Sequence, residues 1–319
     1  MTIATVTPNP ALDVTYTVDD LEVGAENRVT AVVSRPGGKG VNTANVLRYL
    51  GSDVLVLGPV GGRAGLELRD QLAVREVPEA LVRIAGDTRR TVAVVDSRSG
   101  RTTLLNEPGP VVSEAEWHAL LDSLTSAGST ARVMTMSGSL PRGVGPDGYA
   151  QLVVAARAGG GGELPVIVDT SGPALAAACA AEPDLVKPNT VELAAAFPDL
   201  PDPLARAREL LRLGARAVAV SAGSEGLRVV TPGFVVGGRL ARVLEGNATG
   251  AGDAAVAAFA WGLAIVDDPA AVWTDRMGVV ELLRRAVAVS AAAVLAPVAG
   301  EIDPGDVSML MTEVDTSDR

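Results

Sequence analysis

Apolar residues recur along this chain in two rhythms. Short runs rich in β-branched residues read as strands over Ile3–Thr7, Asp53–Gly58, Arg132–Ser137, Val166–Asp169, Asp184–Lys187 and Ala217–Ser221. Between several of them, Val41–Leu50, Glu114–Leu124 and Leu204–Leu213 carry the pattern of a helix with one buried stripe. Strand and helix in alternation predict βαβ units, and so a parallel sheet covered by helices with its ligand loops at the carboxyl ends of the strands. Several of the strands do end in Gly, Ser, Asn or Pro clusters.

Two segments break this alternation. Ala11–Arg35 alternates through Val14, Tyr16 and Val18, and Asp87–Glu107 sets the turn Ser97-Arg98-Ser99-Gly100 between two extended runs. Each interrupts the succession of core elements, so the two are expected to meet as one small β-sheet, a lid that keeps water from the ligand edge. Two unrelated hairpins are the alternative that the pattern leaves open. No repeat, linker or domain boundary divides the rest. Residues 1–319 therefore read as one α/β domain with a lid at 11–35 and 87–107, and the tail after Asp303, Asp315 to Arg319 above all, is expected to fray.

A chain of 319 residues with 48% hydrophobic content can bury the core of one large domain. No apolar run is long enough to span a bilayer, and Met1-Thr2-Ile3-Ala4 enters a strand with no basic region or cleavage site. These features predict a cytoplasmic protein without a membrane partner. The formal charge of −11 argues against broad nucleic-acid affinity. Cys179 is the only cysteine and His118 the only histidine, which excludes a disulfide framework, a Cys/His zinc site and any Ser-His or Cys-His pair not built on His118. His118 falls at the start of a capped amphipathic helix and is expected on the surface. Among 27 basic residues only Lys39 and Lys187 are lysines, compact point charges suited to phosphate oxygens, and both sit in motif-like places.

The richest chemistry lies in Asn247-Ala248-Thr249-Gly250-Ala251-Gly252-Asp253, ahead of a helix read as Ala254–Leu263. Small residues at a turn let backbone N–H groups converge, and the helix aims its positive dipole end into the same space. A carboxylate on the rim of such an anion hole repels a phosphate, unless Asp253 takes the proton of a hydroxyl that attacks it. A plain helix-capping Asp is the other reading. The segment Arg35-Pro36-Gly37-Gly38-Lys39-Gly40-Val41-Asn42 is neither a P-loop, because Gly40 follows Lys39 where Ser or Thr is needed, nor a dinucleotide motif. Its glycines let a ligand lie against bare backbone, while Lys39 and Asn42 supply a charge and an amide.

Six blocks occur in order along nearly the whole chain: Thr7-Pro8-Asn9-Pro10-Ala11-Leu12-Asp13, Gly37-Gly38-Lys39-Gly40-Val41-Asn42, Leu105-Asn106-Glu107-Pro108-Gly109-Pro110, Ser137-Gly138-Ser139-Leu140-Pro141, Val186-Lys187-Pro188-Asn189-Thr190-Val191-Glu192 and Thr249-Gly250-Ala251-Gly252-Asp253. Together they resemble the ribokinase-like PfkB sugar kinases, in the branch of 1-phosphofructokinase and tagatose-6-phosphate kinase. The resemblance implies a ribokinase-like α/β fold, a mainly parallel sheet flanked by helices with a small β-sheet lid. It also implies ATP-dependent phosphorylation of a ketohexose monophosphate to its bisphosphate, fructose 1-phosphate being favoured, with ATP and Mg2+ as cofactors.

The resemblance makes Asp253 the catalytic base, with the N–H groups of Gly250, Ala251 and Gly252 on the transferring phosphoryl. It ties Asn189 and Glu192 to the magnesium that travels with ATP. Lys187, Thr249 and the loop Ser221-Ala222-Gly223-Ser224-Glu225-Gly226, through Ser221, Gly223 and Gly226, go to the nucleotide. Asp13, Gly38 and Asn42 go to the sugar, and Lys39 and Arg89 to the acceptor's own phosphate, with Arg28 and Arg142 as further candidates. The chain departs from the family at Ala254, where Ser or Thr is usual. A tagatose-6-phosphate kinase, a 6-phosphofructokinase and a sugar-phosphate sensor without turnover are the alternatives. An exposed lid edge is a surface through which two copies could pair as a homodimer.

Overall fold

β1 (Thr2–Val6) opens the chain in a computed structural model that describes residues 1–317. The backbone leaves it for β2 (Ala11–Val18) and β3 (Val29–Gly37), returns through α1 (Lys39–Tyr49) to β4 (Asp53–Leu57), and passes β5 (Pro59–Val60) into α2 (Gly62–Val74). β6 (Val82–Arg83), β7 (Arg89–Asp96) and β8 (Thr102–Asn106) precede α3 (Glu114–Gly128) and β9 (Val133–Ser137). The alternation continues with α4 (Gly148–Gly159), β10 (Val166–Asp169), α5 (Pro173–Ala178), β11 (Leu185–Val186), α6 (Thr190–Ala196), α7 (Pro203–Arg212) and β12 (Val218–Ser221). β13 (Leu227–Val230), β14 (Val235–Leu240), α8 (Ala251–Ile265), α9 (Arg276–Leu295), α10 (Pro304–Met311) and β15 (Val314–Ser317) complete it.

The main sheet runs in the order β15-β14-β13-β12-β11-β10-β9-β1-β4. The strands from β4 to β12 pair in parallel and coincide, within a residue or two at the ends, with the six predicted from apolar runs. Beyond β12 the pairing turns antiparallel. The tail corrects the expectation of fraying. Asp303 caps α10 by accepting from the Gly305 N–H, Leu310 is buried, and β15 zips onto β14 through Val314 and Asp315. Asp318 and Arg319, also expected to fray, lie outside the described residues.

Side-chain alternation along the parallel strands decides where a site can form. Ile3, Val133, Ile167 and Leu185 face the core under α1, α8 and α9, while Ala4, Met134, Val166 and Val186 face the core under α3 and α4. Two residues further along the first face the apolar row gives way to Thr5, Thr135, Asp169 and Lys187, all buried. The same sheet face is thus oily at its foot and polar at its carboxyl edge.

The two inserted segments form one sheet, in the order β3-β2-β7-β8. β2 lies parallel to β7 from Ala11 opposite Arg89 to Val18 opposite Asp96, which excludes two separate hairpins. Leu12 and Val14 bury against Ala64 of α2. At the root of this lid Asn9, 5% exposed, donates from Nδ2 to Pro108 O and Ser139 Oγ, each at 3.2 Å. It thereby ties the exit from the main domain to the return. Gly109 sits there at φ 88, where a Cβ would come within 2.3 Å of Asn9 Oδ1, so only glycine fits. His118 is exposed on α3, as expected, and no helix among the described residues is long and apolar enough to cross a membrane.

Candidate active site

The turn before α8 is built around Gly250, whose φ of 86 is left-handed backbone open to glycine at little cost. The helix starts at Ala251, three residues earlier than the sequence suggested, and no side chain caps it. Asp253 is therefore not a cap. It is the third residue of the helix, 6% exposed, with Oδ2 accepting from Asn42 Nδ2 at 2.8 Å. Burial pushes its pKa up to about 7, Asp169 adds to the rise, and the Asn42 hydrogen bond with the Lys39 and Lys187 charges oppose it. A carboxylate poised there holds its charge near neutral pH and still accepts a proton readily. Of the three N–H groups expected at the anion hole, that of Ala251 donates to Ala248 O at 3.3 Å within the turn.

Asp169 is the residue that motif reasoning passed over. It ends the apolar strand β10 and is 1% exposed, and both lysines of the chain converge on it: Lys39 Nζ at 3.4 Å and Lys187 Nζ at 3.5 Å. The available signal was a lone acid closing a fully apolar strand at the sheet's ligand edge. Lys39 also lies 3.7 Å from Glu192 Oε1. Burial lowers the Lys39 pKa, but the neighbouring carboxylates of Asp169, Glu192 and Asp253 outweigh it and the net shift is upward. Lys39, grouped with Arg89 on the sequence, stands among the central acids instead.

Arg89 belongs to the lid. Its Nε donates to Asn9 O at 3.1 Å, and burial lowers its pKa against the opposing charges of Asp13 and Glu107. Asp13, on the adjacent strand, is raised by burial to about 6 against the Thr91 hydrogen bond and the Arg89 charge. At the other end, Asn189 caps α6 by accepting from the Glu192 N–H, and Glu192 Oε2 accepts from the Asn189 N–H, each at 2.8 Å. Glu192 Oε1 is left towards Lys39. Among the described residues no three His, Cys, Asp or Glu side chains gather as a metal cage. A Glu192 oxygen outside the cap, shared with Lys39, suits a hard cation carried by nucleotide phosphates and bound through water, not a cation bound by protein alone.

A single cavity of about 710 Å³ is bordered by Asp13, Gly38, Lys39, Asn42, Arg89, Asp169, Lys187, Asn189, Glu192, Ser221, Gly223, Gly226 and Thr249 to Asp253. Its far wall, between the end of β14 and α9, is apolar, with Leu240, Val243, Leu244, Val287 and Val294. No motif announced that wall, because apolar residues on a helix face look alike whatever they touch.

Two of the predicted cations lie elsewhere. Arg28 stands in the loop after β2, its side chain 92% exposed and 3.9 Å from Glu26, so it faces solvent. Arg142 is exposed, and its Nε donates to Gly109 O at 3.1 Å, holding the turn at the lid root. Ala254 is fully buried in the apolar cluster behind α8, so the departure from the family pattern does not border the cavity.

The cavity therefore joins an uncapped helix start, a buried acid and a cluster of cations under a lid. Residues 9–304 match the family model of pfkB family carbohydrate kinases. The chain belongs to that family. This pfkB carbohydrate kinase is 38% identical over 260 residues to a 1-phosphofructokinase of Rhodobacter capsulatus, covering 80% of this chain and 81% of that protein. It is equally 38% identical, over 273 residues, to a 1-phosphofructokinase of Xanthomonas campestris pv. campestris, with 83% and 84% covered. Phosphofructokinase-2 of Escherichia coli in complex with potassium shares the ribokinase-like fold at a TM-score of 0.86 and 31% identity, with 98% of each chain covered. The same enzyme has been solved with fructose-6-phosphate and in a tetrameric inhibited form.

Proposed function

We propose that this pfkB kinase transfers the γ-phosphoryl group of ATP to fructose 1-phosphate, giving fructose 1,6-bisphosphate and ADP. The observation that carries the reading is that one cavity gathers Arg89 and Asp13 from the lid, Asp253 at the helix start, Lys39 and Lys187 whose charges act on it, and an apolar wall. The acceptor's phosphate pairs with Arg89 and its ring hydroxyls with Asp13, which presents the far hydroxyl to Asp253. Asp253 takes the hydroxyl proton as that oxygen attacks the γ-phosphorus and the bond to ADP breaks. The start of α8 and the two lysines hold the charge that develops. Bound magnesium would be held through Glu192 and would neutralise charge on the nucleotide phosphates. The apolar wall takes the base of ATP.

Arg89→Ala is expected to raise KM for fructose 1-phosphate by about ten- to a hundredfold, the scale of a lost charge-assisted pair, with KM for ATP nearly unchanged. Glu192→Gln is expected to raise the magnesium concentration for half-maximal rate. ADP release over fructose 1-phosphate, fructose 6-phosphate, tagatose 6-phosphate and free fructose, each with a magnesium series, checks both. A wild type that prefers free fructose sinks the phosphosugar reading, and preference for another phosphate corrects the acceptor.

The lid bears exposed Val29, Val32, Val33, Leu104 and Leu105 on its outer strands β3 and β8. Pairing of two lids would cover this apolar surface in an isologous dimer. Light scattering is expected to give about twice the chain mass of 32.4 kDa, and a monomer at micromolar concentration would exclude the pairing.

A further inference from the structure

The ion pair between Arg35 and Glu301 crosses from the lid to the main domain, with Arg35 Nη1 at 2.7 Å from Glu301 Oε1 and each side chain about one-third exposed. Both ends of this pair lie next to the site. Arg35 stands directly opposite Asp13 in the pairing of β3 with β2, so the two side chains share one face of the lid sheet. Glu301 lies in the loop between α9 and α10, and that loop wraps the turn that begins α8. Asn247 donates from its backbone N–H to Val294 O at 2.9 Å and from Nδ2 to Pro297 O at 3.3 Å. A Cβ on Gly250 would lie 3.0 Å from the Ala299 Cα, and one on Gly300 would lie 3.1 Å from the Asn42 Cα. Asn42 is the side chain that holds Asp253. A continuous run of contacts thus leads from the lid strand pair that carries Asp13 to the two features that set up phosphoryl transfer.

We infer that Arg35 and Glu301 are positioning residues, whose ion pair fixes the seat of the Gly250 turn and of Asn42 against Asp253 according to the seat of the lid. The inference rests on the kinase reading above for the roles of Gly250 and Asp253. Neither residue borders the cavity, so the pair acts through the loop and not on substrate. A seated lid holds the base and the anion hole in register. A lid that is off its seat leaves them loose, which lowers transfer to the sugar more than it lowers nucleotide binding.

Arg35→Glu, Glu301→Arg and the reversed pair carrying both changes separate this role from a merely structural one. Each single variant is expected to lower kcat on fructose 1-phosphate by about tenfold, the size of one coupled contact, with KM for ATP little changed. Each is also expected to release more ADP without acceptor, relative to sugar phosphorylation, than the wild type does. The reversed pair is expected to regain most of the loss. Folded single variants with wild-type kcat and wild-type coupling overturn the inference, as does a reversed pair that is merely the sum of the singles. Hydrogen exchange of ligand-free Glu301→Gln decides the link whatever the acceptor is. Faster exchange over residues 247–253 supports it, and unchanged exchange there overturns it. A wild type inactive on fructose 1-phosphate would refute the proposed acceptor alone.

Discussion

Asp253→Asn is expected to lower turnover by at least about a hundredfold while ATP and sugar-phosphate binding stay nearly intact, since an amide of the same shape cannot take the proton. The wild-type pH profile carries the same information. With the Asp253 pKa at about 7, the base is lost as pH falls below neutrality, and kcat/KM is expected to drop about tenfold per pH unit there. Asp13, raised to about 6, adds a second group to the acid limb.

Stability should move the other way. The folded pKa of Asp253 lies above the ordinary carboxyl value of 3.8, so its stabilising effect is fully present below that value and is lost as pH rises through about 7. Asparagine does not ionise, so the variant is expected to be more heat-resistant than the wild type at pH 8 and equal to it near pH 4. Steady-state rates and melting curves across pH check both halves. A turnover loss under about tenfold would remove Asp253 from the role of base.

Asp184→Ala is expected to cost about 2–3 kcal/mol of folding free energy, the scale for leaving the buried Val166 N–H without an acceptor and taking a charged partner from Arg157 and Arg216. Asp184 is 2% exposed. Its Oδ2 accepts from Arg157 Nη2 and from the Val166 N–H, each at 2.8 Å, and its Oδ1 accepts from Arg216 Nη1 at 3.0 Å. It precedes β11, at the end of the sheet opposite the cavity, and fastens β10, α4 and the entry to β12 together. Denaturant unfolding reads the loss. Kinetic constants per folded molecule are expected to stay at wild-type values, and a loss below about 1 kcal/mol would show that Arg157 and Arg216 find other partners.

How far each feature was legible follows from its range along the chain. The parallel strands were legible because burial on both faces leaves continuous apolar runs, such as Val166-Ile167-Val168, with turn residues after them. The antiparallel edge was not, because β15 is short and its place beside β14 rests on α10, whose Leu310 docks into the main core. The lid was legible in outline from alternation and from the turn at Ser97. Its single-sheet form depends on the parallel register of β2 and β7, which no local pattern specifies.

The sequence by itself determined the βαβ alternation, the Gly250 turn that starts α8 and the six blocks that mark the family, because periodicity and backbone freedom are properties of a few neighbouring residues. Only the tertiary structure decided which charges share the cavity. Lys39 reaches Asp169 across 130 positions and Asn42 reaches Asp253 across 211, while Arg28 and Arg142, equally cationic on paper, point to solvent or hold a turn. The physical reason is that the electrostatics of a site depend on separation in space and on burial. Both are set by the strand order and by the docking of α1 and α8 on one sheet face, not by any stretch of chain that can be read alone.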